Sequence, residues 1–218
     1  MRSKSLFRGD PKGKTGWELL QGWWHGAPPP EPIARLPNPL RLRPGEEVEL
    51  SLGRAKRWET EGLFAFFDGT RPLNTRYELA RGAERIFLED YPLEGSERGW
   101  LQLDLVEEFE LDEGLLEICE QDESLDHTRY DEERGEDEVI CYYKEAAGRY
   151  QALYLERGTQ EPVSAEVLHF HYFSEEHRRY LTVEVWPDER WMRFFVGRDY
   201  PERAIMAFGT APATPRRT

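Results

Sequence analysis

Val163-Ser-Ala-Glu-Val-Leu-His-Phe-His-Tyr-Phe173, Arg179-Tyr-Leu-Thr-Val-Glu-Val-Trp186 and Trp191-Met-Arg-Phe-Phe-Val196 decide the fold. All three runs are short and rich in β-branched and aromatic residues, the composition that suits a pleated, half-buried surface. Ser174-Glu175-Glu176-His177-Arg178 reads as a polar hairpin tip between the first two. Pro187-Asp188-Glu189 follows the second, with proline placed to preset φ for a type I turn. Three such runs joined by tight turns predict an antiparallel meander.

The same grammar extends back along the chain. Leu40-Arg41-Leu42-Arg43, a Pro44-Gly45 turn and Val48-Glu49-Leu50-Ser51-Leu52 form a hairpin signature. Further β-like runs follow at Leu63–Phe67, Arg76–Leu79, Arg85–Glu89, Trp100–Leu105, Glu138–Tyr143 and Tyr150–Glu156. No run resembles a long amphipathic helix. About ten short strands predict a mainly β fold, an antiparallel β-sandwich or partly open barrel.

The flanks read differently. Residues 1–16 carry Arg2, Lys4, Arg8, Lys12 and Lys14 against Asp10, a basic tail, and six prolines between Gly26 and Pro39 predict an extended arm. Residues 40–209 then form the β domain, and 210–218 an Ala/Pro/Thr-rich disordered tail. Arg76-Tyr77-Glu78-Leu79 leading to Gly99–Leu103 loosely echoes Arg149–Leu153 leading to Tyr180–Glu184. Two similar β modules, 40–106 and 138–209, would account for that echo, with segment 107–137 joining them.

Charge is concentrated in one place. Residues 107–138 hold sixteen acids against Arg129 and Arg134, an excess of fourteen that equals the formal net charge of −14. The rest of the chain balances. Clustered acids without an EF-hand order of ligands read as a solvated loop or exposed helix, as a surface for a basic partner, or as a metal site. Glu132, Glu133, Glu136 and Asp137 are the candidate partner-binding residues. Aromatic strands could offer a nucleic-acid stacking platform, but such platforms need a basic groove, so core packing is the reading and no nucleic acid is expected.

Few residues suggest chemistry. Gly9-Asp-Pro-Lys-Gly-Lys-Thr15 has three residues between its glycines where a phosphate loop needs four. No nucleophile elbow occurs, and Cys119 and Cys141 read as small strand hydrophobes kept reduced in the cytosol. His169 and His171, two apart on a strand, share a face, and Glu175 completes a His-x-His-x3-Glu spacing. The fragment is similar to the first metal motif of the cupin family, although Val163 stands at its glycine position and no second motif follows. The alternative places both histidines on the wet face of the strand. No cofactor is expected.

The texture from Tyr150 through Val196, with Gly99-Trp100-Leu101-Gln102-Leu103 upstream, resembles the bacterial domain-of-unknown-function 4178 family over about Leu52 to Ile205. That resemblance implies a companion of membrane-stress proteins and polyamine-forming enzymes, with no catalytic residue to carry over. The start has no apolar leader and no stretch is long enough to span a membrane, so a cytoplasmic protein is expected. Three functions stand open: a non-catalytic accessory module with an acidic surface for a basic protein, a metal-dependent cupin-like enzyme or sensor, and an acidic inhibitor or immunity-type protein.

Overall fold

A computed structural model describes residues 36–51, 54–92, 98–131, 135–159 and 161–208. The expected basic tail, most of the proline-rich arm and the C-terminal tail lie outside them. The fold is mainly antiparallel β, as the alternation predicts. In chain order the elements are β1 (Glu47–Leu50), β2 (Lys56–Asp68), β3 (Arg71–Arg81), β4 (Glu84–Pro92), β5 (Arg98–Glu110), α1 (Glu113–Gln121), β6 (Ser124–Asp131) and β7 (Glu136–Glu156). Then come β8 (Val163–Ser174), β9 (Arg179–Trp186), β10 (Trp191–Asp199), a 3-10 turn (Glu202–Ala204) and β11 (Ile205–Phe208).

The chain divides into two compact units, and β5, β7, β8 and β10 contribute residues to both. Residues 36–104, 152–164 and 199–208 form the mixed-charge unit, in strand order β11-β1-β2-β3-β4-β5, with β7 also pairing β2. Tyr77 lies opposite Leu63 on one side and Leu88 on the other, so period-two apolar positions meet across three strands. Val48, Trp58, Leu79 and Trp100 close this core. Gly82 turns β3 into β4 at φ 63°, a left-handed conformation that glycine adopts without a Cβ penalty.

Leu40–Arg43 is not the strand the alternation predicts. Asn38 Oδ1 accepts the Leu42 N–H at 3.0 Å and Asn38 Nδ2 donates to the Leu42 carbonyl at 2.5 Å. With Arg41 at φ 58°, the backbone turns around the asparagine side chain, a local competitor that outweighs four residues of alternation.

Residues 105–151 and 165–198 form the acidic unit, in strand order β5-β10-β9-β8-β7-β6. α1 falls in the segment expected to be a solvated loop or exposed helix, and one side of it is buried. Asp112 caps it by accepting the Leu115 N–H at 3.0 Å, and its buried Leu116, Ile118 and Cys119 join Ile140, Tyr142, Phe170, Tyr172 and Val183 in one core. Cys119 therefore lies on a helix, not a strand, because nine acidic-flanked residues carry too short a period to read. Cys141 does lie on β7, and both thiols are free. β7 runs unbroken through 21 residues where two strands were expected. Arg190 donates its N–H to the Pro187 carbonyl at 3.3 Å, so proline takes the first position of its turn and not the second.

Candidate functional site

Alternation along the β6–β7 hairpin creates two contrasting faces. Leu125, Ile140 and Tyr142 point into the core. The outward set comprises Asp126, Thr128 and Tyr130 on β6, opposite Cys141, Val139 and Asp137 on β7, with Tyr143 facing Ser124. Tyr130, Val139 and Tyr143 are 62%, 60% and 61% exposed, and Asp126 and Asp137 flank them with exposed carboxylates. Three large side chains on one ladder, flanked by two carboxylates, form the kind of patch that marks a contact surface. β6 ends the strand order, so no strand among the described residues pairs with its outer edge.

Of the four partner candidates, Asp137 belongs to this outward face and Glu136 is exposed at the start of β7. Glu132 and Glu133 lie outside the described residues. The acidic segment is not an unstructured loop: most of its described acids sit on β5, α1, β6 and β7, with Asp112 capping α1 and Asp122 and Glu123 between α1 and β6. α1 has no basic residue in its last turn. Both Glu120 carboxylate oxygens are buried, and burial, reinforced by the Glu117 charge and opposed by Lys144, pushes this carboxyl up to about 7.

The two histidines meet as their spacing predicts. His169 and His171 share a face of β8, with ring centroids 5.3 Å apart edge to face. The expected wet face is wrong for His169, which is fully buried. Its Nε2 lies 3.2 Å from Glu184 Oε1, while Glu184 Oε2 accepts the Trp186 indole N–H at 3.1 Å. The Tyr150 ring stands edge-on at 5.5 Å, and Thr182 Oγ1 lies 3.4 Å from His171 Nδ1. Glu175 is exposed in the β8–β9 turn, and the carboxylate beside His169 is Glu184 instead. Among the described residues no three His, Cys, Asp or Glu side chains group to hold a metal ion. Glu184 was passed over in the sequence, although a lone charge within Tyr-Leu-Thr-Val-Glu-Val-Trp is a sign of a buried polar contact.

The mixed-charge unit holds two further polar clusters, on opposite faces of β3. Arg76 Nε and Nη2 each lie 2.5 Å from Glu89 Oε2, Asn74 donates to Glu89 Oε1 at 2.6 Å, and all three residues are buried. Across the strand opens a cleft of about 290 Å³. Pro37, Pro39 and Pro72 wall it, and Asn38, Thr75, Asp90 and Arg98 complete its lining. Buried Asp90 accepts the Thr75 N–H and pairs with Arg98 Nε, and Arg98 Nη2 donates to the Leu73 carbonyl at 2.7 Å. Burial raises the Asp90 carboxyl against the lowering effect of Arg98.

No described helix is long and apolar enough to cross a membrane. Comparison with family models, with curated proteins and with solved structures finds no match to this chain.

Proposed function

We propose that the chain is a non-catalytic accessory module of a cytosolic bacterial system, and that its acidic unit receives a protein with a basic surface. The outward face of the β6–β7 hairpin carries this reading: Tyr130, Val139 and Tyr143 stand exposed together beside Asp126 and Asp137. Tyrosines supply large contact area at low entropic cost, while carboxylates steer a basic partner and fix its register. Ordered placement on a ladder supports the reading further, because a surface fixed before encounter loses less freedom on binding. An inhibitor or immunity-type role is the special case in which the partner is an enzyme whose basic cleft this surface occupies.

A photo-crosslinking residue at position 143 would identify the partner from its host. Glu136→Gln with Asp137→Asn should then slow association about tenfold at low salt, and Tyr130→Ala with Tyr143→Ala should speed dissociation. Unchanged rates in both variants would remove the surface from consideration.

A further inference from the structure

We propose that the cleft between the 37–39 turn and strands β3 to β5 binds a small carboxylate with an apolar body, held by the Arg98 guanidinium. This site is independent of the partner surface. Its wall is fixed in advance. Asn38 clamps the Leu42 backbone at both ends and accepts the Tyr77 hydroxyl at 2.8 Å, while that hydroxyl accepts the Leu40 N–H at 3.0 Å. Three proline rings add no torsional freedom to lose on binding.

Arg98 is fixed as well. Of its five N–H donors, Nε faces Asp90 and one on Nη2 reaches the Leu73 carbonyl. Three remain, two on Nη1 and one on Nη2, the two nitrogens that can grip a carboxylate together. The side chain is 37% exposed, whereas Asp90 behind it is 1% exposed, so the cation and not its counter-ion is presented to solvent.

Chemistry narrows the ligand class. A cation would find no open carboxylate, because Asp90 is committed to Thr75 and Arg98. A phosphate dianion would meet one guanidinium already neutralised by Asp90. A monocarboxylate needs only that fork, and its hydrocarbon part would cover the proline rings. The cleft sits at the small end of ligand sites, near 300 Å³, which suits a single ring or short chain.

Titration of the isotope-labelled full chain with benzoate, benzamide and inorganic phosphate tests the site by amide chemical shifts. Benzoate should produce saturable shifts centred on Asn38, Leu73 and Thr75, and benzamide should bind about tenfold more weakly for want of a charge-assisted pair. Arg98→Met should lose at least about tenfold in benzoate affinity, with Arg98→Lys between the two. Should Arg98→Met perturb the fold, the comparison of benzoate with benzamide on the unaltered protein still decides. Equal affinity for the two, no saturation, shifts elsewhere or a preference for phosphate would each overturn the proposal.

Discussion

The two units treat charge in opposite ways. Residues 36–104, 152–164 and 199–208 hold seventeen acids and twelve Lys or Arg, and cross-strand pairing absorbs many of them. Arg57 lies between Glu47 and Glu49, Arg81 meets Glu84 at 2.8 Å, Arg85 meets Glu78 at 3.0 Å, and Arg157 spans Glu59 and Glu61. Residues 105–151 and 165–198 hold twenty-three acids and nine Lys or Arg. Arg129, Arg149, Arg190 and Arg193 reach Glu138, Glu166, Glu110 and Glu108, and nine cations cannot match twenty-three acids. Apolar burial beneath α1 must hold this unit against its own repulsion. Charge in one unit is closer to balanced; in the other acids exceed cations by fourteen.

The largest effect that would break this contrast lies inside the mixed-charge unit. Arg76→Met strands the buried Glu89 carboxylate and should cost about 3–5 kcal/mol in urea unfolding. Pairing it with Glu89→Leu should restore most of the loss, because the pair contributes through mutual compensation and not through attraction alone. A single variant as stable as the starting protein would show that the pair is not enclosed as described.

A smaller effect sharpens the contrast from the acidic side. Glu120 has a folded pKa of about 7 against an ordinary 4.5. The fold therefore binds this proton more tightly than the unfolded chain does. Its contribution is fully present below pH 4.5 and is lost as pH rises through 7. Glu120→Gln should stabilise the protein by about 1 kcal/mol at pH 8, a figure discounted for partial exposure, and should flatten the stability curve between pH 5 and 7. A slope unchanged by the substitution would assign it to other acids.

The same contrast explains which parts of the fold were legible in the sequence. β9 coincides with its predicted bounds, and β8 and β10 differ only at one end, because alternation in Val163–Val196 is carried by large apolar residues. α1 and β6 were hard to read because acidic and other polar residues interrupt their short apolar periods. In β6 only Leu125 is both apolar and buried, so period two has almost no hydrophobic amplitude. The pairing of His169 with His171 followed from spacing alone. Glu184 beside them did not, since it depends on the β8–β9 register that sets His169 opposite Glu184. Asn38, Thr75, Asp90 and Arg98 were beyond local reading for a related reason: four residues spread over sixty positions meet only once β3, β4 and β5 are paired.

The smallest predicted effect separates the units by sign. Exposed pairs such as Arg57 with Glu47, 3.6 Å apart, contribute about 0.5 kcal/mol or less, and salt screens that attraction. In the acidic unit the dominant surface term is repulsion among exposed Glu107, Glu113, Glu123, Asp126 and Asp137, and salt screens that instead. Raising the ionic strength from low to physiological and beyond should therefore slow amide hydrogen exchange in β6 and β7 up to Gln151, while leaving β1 and β2 unchanged or slightly faster. Chloride and a weakly binding anion should act alike, since screening depends on ionic strength and not on a bound ion. Arg57→Gln should remove the small loss in β1 and β2 without altering the gain in β6 and β7. If both units respond to salt with the same sign, the charge excess is not what distinguishes them, and the acidic unit has no unmet demand for a basic partner.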